Sequence, residues 1–406
     1  MRKARKLVPV FYTRGLNAPY TEGHIQIVNT ITKSLLLYGI KSLVFNFKYH
    51  TGTSRTKDDF ASRFQVEQAV PFVDRDEAIS ARSWPIFAYS LIMETLRMPK
   101  FLLFERALKH RNYIVNIVNC FRYPRIFVKK MFRVPVVLHF YMPHLRGRYM
   151  LRLLTNKADL IIASSHEVAR YLEEYDVSKK KIAIVYPPVD TTLYKPASRH
   201  VVRRKLGLPE KGKIILYIGS LKPTRFPEDK VLGVLEDLAK AVPETLLLIF
   251  TPKSNLNIRR ALEIRKKAKV LNLVDRVKIH VKDLSEKEKA DIYAVADIFF
   301  FPQSGPRAAV DPPPTVLEAM ASGRVVFAPK LSSASEIITD NKNGFLFEQR
   351  DNNALARRFA DLLVNERLKN RVSHCARQDV EQRLSLLAVG ERMLEHFVAL
   401  SSGQRR

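Results

Sequence analysis

Short apolar segments alternate with helix-like segments along the whole chain, and this alternation restricts the fold more than any other feature of the sequence. In the first half we predict strands at residues 7–13, 41–47, 112–118, 134–140, 159–163 and 181–186. In the second half we predict strands at residues 213–218, 245–250, 276–281, 297–301 and 324–328. Apolar strands with helices between them are typical of parallel sheets that are covered on both faces. The sequence therefore predicts an α/β protein.

A Pro-rich, polar segment at residues 187–209 separates the two series of strands. A chain of 406 residues is long enough for two domains that each bury their own core. We predict two facing Rossmann-like domains at residues 1–195 and 196–375, followed by a C-terminal helix within residues 376–406. Ligands of such sheets bind at the carboxyl ends of the strands, so we expect an active site in the cleft between the domains.

Residues 311–328 form a loop, a short helix, a glycine stop and a buried strand in this prediction. Three consecutive prolines permit no helix before Thr315, and Gly323 ends the helix. Glu318 lies three residues after Thr315, which is the spacing of a capping box. One interpretation is that Glu318 only satisfies the N–H group of Thr315. The other is that the free N–H groups of this helix start bind a phosphate.

The segment Leu317-Glu-Ala-Met-Ala-Ser-Gly323, followed by an apolar strand, resembles the signature of glycosyltransferase family 4. That large family is retaining and has two facing Rossmann domains, the GT-B fold. The resemblance implies that Glu318 binds the ribose hydroxyls of a nucleotide-diphosphate sugar. It also implies that the backbone N–H groups just before Glu318, at Thr315 and Val316, hold the diphosphate. The expected activity is transfer of a hexose from a GDP- or UDP-sugar, without a cofactor.

Other segments resemble the family in the same order. Gly23 corresponds to the first βα turn, where the family has a glycine pair that approaches the donor phosphates, although Glu22 replaces the first glycine. His139 ends a strand that the family places near the transferred sugar, while a lone histidine at a strand end is also commonly structural. Asp190 is expected to form a turn rather than to catalyse. A final helix at residues 384–400 braces the first domain in the family.

The family's diphosphate clamp, Gly-Arg-x-x-x-x-Lys, is altered in this chain. Gly219 is kept, Ser220 replaces the arginine, and Arg225 occupies the lysine position. Lys222 supplies the missing charge in our interpretation, because a pyrophosphate needs about two nearby cations or equivalent oriented amides. The alternative is an ordinary solvated loop. With the helix start at Thr315, these cations would stabilise a leaving diphosphate without a metal ion.

A second departure concerns a glutamate that the family carries eight residues before Glu318. Val310 occupies that position, and Asp311 follows it. We expect Asp311 to act near the transferred sugar in its place; otherwise the role is missing. The segment Asp74-Arg-Asp76 resembles a metal motif of the other glycosyltransferase fold, but three adjacent charges usually form a solvated turn, so we expect no metal site.

The net charge of +29 is concentrated unevenly. Between Arg97 and Arg152 there are thirteen cations, and Glu105 is the one acid among them. Aromatic and aliphatic residues are interleaved with these cations, a pattern that suits an anionic membrane or a lipid-linked acceptor. A solvated basic face is the alternative, and nucleic acid is the least favoured partner. The residues that we assign to this surface are Arg122, Arg125, Lys129 and Lys130.

Two cysteines cannot form a disulfide framework, and no apolar run approaches the length of a signal peptide or a membrane span. We therefore expect a cytoplasmic protein that is peripheral at the inner face of the membrane. The main prediction is a glycosyltransferase acting on a lipid-linked or other anionic acceptor. The rival is a glycosyltransferase-like protein that has lost catalysis and binds anionic membranes or nucleic acid.

Overall fold

The computed structural model describes residues 7–14, 23–49, 68–72, 112–118, 134–141, 148–305, 311–330, 333–348 and 352–402. The strands of the first half are β1 (Leu7–Arg14), β2 (Leu43–Tyr49), β3 (Gln68–Phe72), β4 (Asn112–Val118), β5 (Val136–Phe140), β6 (Leu160–Ala163) and β7 (Ile182–Ile184). Those of the second half are β8 (Lys213–Ile218), β9 (Thr245–Thr251), β10 (Val277–Val281), β11 (Ile298–Phe300), β12 (Val325–Pro329) and β13 (Phe345–Phe347).

Helices occupy most connections between the described strands. The helices before β8 are α1 (Gly23–Leu37), α2 (Arg148–Lys157), α3 (His166–Glu174) and α4 (Arg199–Lys205). The later helices are α5 (Glu228–Ala241), α6 (Asn255–Val270), α7 (Glu286–Val295), α8 (Pro314–Ala321), α9 (Ala334–Ile337), α10 (Asn352–Val364), α11 (Glu366–Arg383) and α12 (Leu386–Ser401).

Both sheets are parallel and share one strand order. The first sheet runs β3-β2-β1-β4-β5-β6-β7, and the second runs β10-β9-β8-β11-β12-β13. Each order reverses beside the sheet's first strand, at β1 and β4 in one domain and at β8 and β11 in the other. Loops that leave the carboxyl ends of these strands diverge at that point and open a crevice. The α/β fold with two Rossmann-like domains, predicted from the sequence, is confirmed.

The strands are apolar because helices cover both faces of each sheet. All seven residues of β9 are buried, as are all five of β12. The buried residues of the second domain form two clusters, one on each side of its sheet, and the first domain has the same arrangement. Two strands, β3 and β13, were not predicted. The first contains Pro71, and the second is only three residues long.

The C-terminal helix α12 packs against α1 of the first domain. The hydroxyl of Tyr38 donates to the carbonyl of Leu387 at 3.0 Å. Gly390 permits the close approach, since a Cβ atom there would lie 2.9 Å from the carbonyl oxygen of Ser34. The chain therefore returns to its first domain after it has completed the second.

Candidate active site

The loops that follow β8 and β11 meet at the switch point of the second sheet. The amide of Ser304 donates to the carbonyl of Thr224 at 2.9 Å, which joins the two loops. Gly219 begins the first loop beneath the side chain of Tyr217, whose hydroxyl donates to the carbonyl of Ser220 at 2.7 Å. A Cβ atom at Gly219 would lie 2.7 Å from that hydroxyl oxygen, so the loop excludes a side chain at this position.

The same loop carries Lys222 and Arg225 on one turn. The Arg225 amide donates to the Lys222 carbonyl at 2.8 Å. Lys222 is exposed, whereas Arg225 is partly buried, and this burial lowers the pKa of its guanidinium from the ordinary value. The clamp residues expected from the sequence thus include one cation in solvent and one against the protein wall.

The start of α8 differs from the prediction. The helix begins at Pro314, one residue before Thr315, and Pro313 is its N-cap. Proline is accommodated at the first helical position because its missing N–H would have no partner inside the helix. The capping box of Thr315 and Glu318 is wrong, because no side chain caps this helix and Glu318 contacts a different helix. The Val316 amide donates to the Pro313 carbonyl at 3.0 Å, so the helix start offers few free N–H groups.

Glu318 is a buried carboxylate held by two residues of α7. Lys289 Nζ lies 2.8 Å from its Oε1, and the hydroxyl of Tyr293 donates to its Oε2 at 2.8 Å. The side chains of Lys289 and Glu318 are 6% and 7% exposed. Burial raises the pKa of Glu318, while the charge and hydrogen bond of Lys289 and the hydrogen bond of Tyr293 oppose that rise. Sequence reasoning missed both partners, although their four-residue spacing on a predicted helix places them on one face.

Helix α1 forms the opposite wall of the cleft. Its Gln26 lies against Lys289, with Oε1 and Nζ 3.3 Å apart. Its Lys33 lies 3.4 Å from Glu286 and 3.7 Å from Asp190. A cavity of about 20 Å³ lies between the two walls, and Gln26, Asp190 and Glu318 are among the residues that line it. That volume holds roughly one water molecule.

Asp311 lies where the second domain touches the first. The Asp311 amide donates to the carbonyl of Tyr141 at 3.0 Å, and the hydroxyl of Ser164 donates to the Asp311 carbonyl. The Ser333 amide and hydroxyl both donate to Oδ1, whereas no described residue donates to Oδ2. The residue is 4% exposed. Burial raises the pKa of Asp311 to about 6, and the nearby carboxylate of Glu336 adds to the rise.

His139 lies inside the first domain, two residues before Tyr141. Its Nε2 is 2.9 Å from Oδ1 of Asn116, and its Nδ1 is 3.1 Å from the hydroxyl of Tyr141. Burial lowers the pKa of His139 to about 3, so its ring is neutral at pH 7. Both ring nitrogens are already hydrogen-bonded. Tyr141 links His139 to Asp311, because its hydroxyl contacts the ring and its carbonyl accepts from the Asp311 amide.

A second contact across the cleft involves Glu336 on α9, which sequence reasoning did not identify. Its carboxylate accepts from the first two amides of α3, those of His166 at 2.7 Å and Glu167 at 2.8 Å. The hydroxyl of Tyr186 donates to it at 2.9 Å. A carboxylate at a helix N-terminus satisfies free N–H groups and the positive end of the dipole. Nothing in the sequence near Glu336 indicates this, because the helix belongs to the other domain.

The structure does not test every predicted site. Gly23 is the first residue of α1, and the turn before it lies outside the described residues. Asp190 accepts from the amides of Thr192 and Leu193 at 3.2 Å each, which confirms it as a turn-former. Several predicted positions lie outside the described residues: Glu22, Asp74, Asp76, Arg122, Arg125, Lys129, Lys130 and Val310.

Among the residues that the structure describes, no three His, Cys, Asp or Glu side chains lie close enough together to hold a metal ion. No helix in the same residues is both long and apolar enough to cross a membrane.

Two facing parallel α/β domains with their cleft at the strands' carboxyl ends define a protein of the GT-B fold. The model of glycosyl transferases group 1 matches residues 198–379, and that of glycosyltransferase family 4 matches residues 60–193. The chain belongs to the group 1 glycosyltransferases of family 4, a family of transferase enzymes.

Curated relatives carry the name D-inositol 3-phosphate glycosyltransferase. The protein from Streptomyces avermitilis is 26% identical over 230 residues, which is 55% of this chain and 48% of that protein. A second, from Catenulispora acidiphila, is 25% identical over 234 residues, or 55% and 53% of the two chains. The chain thus matches about half the length of these relatives.

Solved structures resemble the whole chain. A glycosyltransferase from Rickettsia africae ESF-5 has a TM-score of 0.76 at 16% identity, covering 97% of this chain and 98% of that one. Anabaena HepE in complex with UDP and glucose has a TM-score of 0.71 at 16% identity, covering 97% and 99%. At these identities the likeness establishes a shared fold.

Proposed function

We propose that this protein transfers a hexose from a nucleotide-diphosphate sugar, with GDP or UDP as the nucleotide, and with retention at the sugar carbon. The observation that carries the proposal is the buried Glu318 carboxylate in the wall of the interdomain cleft. A carboxylate there can accept hydrogen bonds from two ribose hydroxyls. The complexes of Anabaena HepE with UDP and with UDP-glucose support a donor of this class, since the two chains share a fold.

The donor diphosphate would lie against the loop of Gly219, Lys222 and Arg225, opposite Gly23 at the start of α1. Pro313 and Pro314 have no N–H group and the Val316 amide donates to the Pro313 carbonyl, so Thr315 carries the remaining backbone donor at the start of α8. The two cations must then supply most of the charge that stabilises the leaving diphosphate. We propose on this basis that transfer needs no metal ion.

For the reacting carbon we propose that Asp311 acts in place of the family's missing glutamate. Its Oδ2 accepts no hydrogen bond from the described residues, and a carboxylate at this contact between the domains could stabilise positive charge developing on the sugar. For His139 we propose a role in orienting Tyr141, which contacts the Asp311 amide. A neutral imidazole ring that makes a hydrogen bond through each of its nitrogens is suited to holding a neighbouring side chain in place.

The acceptor is proposed to be lipid-linked or otherwise anionic, and the protein to lie at the inner face of the membrane. The cations and aromatic residues between Arg97 and Arg152 support this. The names of the curated relatives, which contain D-inositol 3-phosphate, also fit an acceptor that carries a phosphate.

A second candidate function is anionic-surface or nucleic-acid binding without catalysis. It is favoured by the prolines at 313 and 314, which remove N–H groups from the helix start, and by Ser220 and Val310 in the places of two family residues.

Nucleotide release from UDP-, GDP-, ADP- and dTDP-sugars tests the proposal. The assay compares wild type with Glu318→Ala, and with Glu174→Ala as an exposed control, each with and without polyprenyl-phosphate lipids. Release from one donor that is lost only in Glu318→Ala would support the proposal, and stimulation by lipid would support the acceptor. A folded wild type that releases no nucleotide, and binds RNA with steep salt dependence, would overturn it.

A further inference from the structure

Lys289 is an unusual residue for the wall of this cleft. It is 5% exposed, although lysine is rarely buried without a partner. Its Nζ contacts Glu318 at 2.8 Å and Gln26 at 3.3 Å, and lies 5.7 Å from the ring centroid of Tyr194. The ammonium group therefore joins three elements: α7, which carries it, α8, and α1 of the other domain.

We propose that Lys289 is a positioning residue that keeps Glu318 ionised and oriented as the acceptor for two ribose hydroxyls. The proposal rests on the proposed function and deepens it, because it assigns the control of nucleotide binding to a residue outside the predicted site.

The hydrogen-bond arrangement carries the argument. A carboxylate has about four lone-pair positions, two on each oxygen. Lys289 occupies one position on Oε1, and Tyr293 occupies one on Oε2. Each oxygen keeps one position that Lys289 and Tyr293 leave open, and two neighbouring hydroxyls of a ribose require two such acceptors. A protonated Glu318 would lose one of them and place a hydrogen where a hydroxyl must donate.

The surroundings show why a cation is required. Burial raises the pKa of Glu318, and the carboxylate of Glu286 at the start of α7 raises it further. Tyr293 and Lys289 act in the opposite direction. Tyr194, from the segment after β7, presents its ring to the lysine, and burial and the nearby Glu318 carboxylate raise the pKa of its hydroxyl. Gln26 presents a neutral amide from α1. Among the groups that face Glu318, Lys289 supplies the positive charge that favours ionisation.

Gln26 adds a connection to domain closure. It belongs to the first domain, while Lys289 and Glu318 belong to the second, so the 3.3 Å contact exists only when the cleft is narrow. Closure around a nucleotide then fixes the ammonium against Glu318 at the time when the ribose must be held.

The test is the affinity for UDP and GDP, measured by calorimetry over a range of pH for wild type, Lys289→Met and Lys287→Met. Lys287 is an exposed residue of the same helix, so its replacement is the matched control. Removing the charge of Lys289 should raise the pKa of Glu318 above its value in wild type. Below that new pKa, the fraction of ionised Glu318 falls, and we expect the Kd of Lys289→Met to rise relative to wild type by about tenfold for each pH unit. Turnover at saturating donor should change little. Lys287→Met should follow wild type.

The double variant Lys289→Met with Glu318→Gln guards against misfolding, since it replaces the buried ion pair with two neutral groups. We expect it to fold, bind weakly and lack the added pH dependence. Infrared titration should detect a protonated carboxyl at neutral pH in Lys289→Met that is absent from wild type and from the double variant.

An ionised Glu318 in Lys289→Met, or a Kd that follows wild type at every pH, would overturn the role of Lys289. A wild type that binds neither UDP nor GDP would instead overturn the proposed function, and the infrared result would still decide the ionisation of Glu318.

Discussion

Replacing Asp311 by asparagine removes the charge of a buried carboxyl group while it keeps the shape of the side chain. The pKa of Asp311 is about 6 in the folded protein, compared with an ordinary value of 3.8. Between pH 3.8 and about 6, the folded state therefore keeps a proton that the unfolded state has already released. The ionised carboxylate therefore opposes folding at neutral pH.

The size of this effect follows from the two pKa values. A difference of about two pH units corresponds to about 3 kcal/mol. For an acid whose folded pKa is raised, the cost is present in full above pH 6, declines between pH 6 and 3.8, and vanishes below. Asp311→Asn should therefore raise the free energy of unfolding by up to about 3 kcal/mol at pH 8, and by less than about 1 kcal/mol at pH 4.

The measurement is urea unfolding at both pH values for wild type, Asp311→Asn and the exposed control Asp361→Asn, together with nucleotide release. The asparagine variant should be more stable but slower, because a functional carboxylate is kept in a site that disfavours it. The control should change stability by no more than about 0.5 kcal/mol. Equal stability gains at pH 8 and pH 4 would refute the reasoning, and unchanged turnover would show that Asp311 does not replace the missing glutamate.

Three further predictions concern other parts of the cleft and the surface. Glu336→Gln should lower the free energy of unfolding by about 1 kcal/mol, because its side chain holds the first amides of α3 less strongly. The weaker contact between the domains should also speed nucleotide association in stopped flow, and unchanged rates would mean that this contact does not restrain opening. The low pKa of His139 means that its neutral form favours folding and that this contribution is lost as pH falls from 6.5 towards 3. Glutamine does not titrate, so His139→Gln should lose less stability than wild type as the pH falls through this range. In a circular dichroism titration, the drop from its stability at neutral pH to that at acid pH should be smaller, and an identical drop would contradict this. Charge reversal in the predicted basic surface should release the protein from anionic liposomes in flotation, and unaltered flotation would exclude that surface: Arg122, Arg125, Lys129 and Lys130.

Eleven of the strands were predictable because each is a short segment rich in apolar residues, and the central strands such as β9 and β12 are buried along their whole length. Each of the eleven predicted segments needed a correction of at most two residues at either end. The first residue of α8 was misplaced because the prediction placed all three prolines outside the helix, whereas proline is favoured at the first helical position. The position of Glu318 in the cleft followed from its place after a strand, but its partners did not.

Those partners come from parts of the chain that only folding places together. Lys289 lies 29 residues before Glu318, and Gln26 lies 263 residues before Lys289. Glu336 caps a helix 170 residues away. Local sequence indicates which segments become strands and helices, because the spacing of apolar residues and the positions of proline and glycine differ between these elements. The ionisation of Glu318 and Asp311 depends on charges and solvent exclusion from distant segments, and the tertiary structure alone sets these.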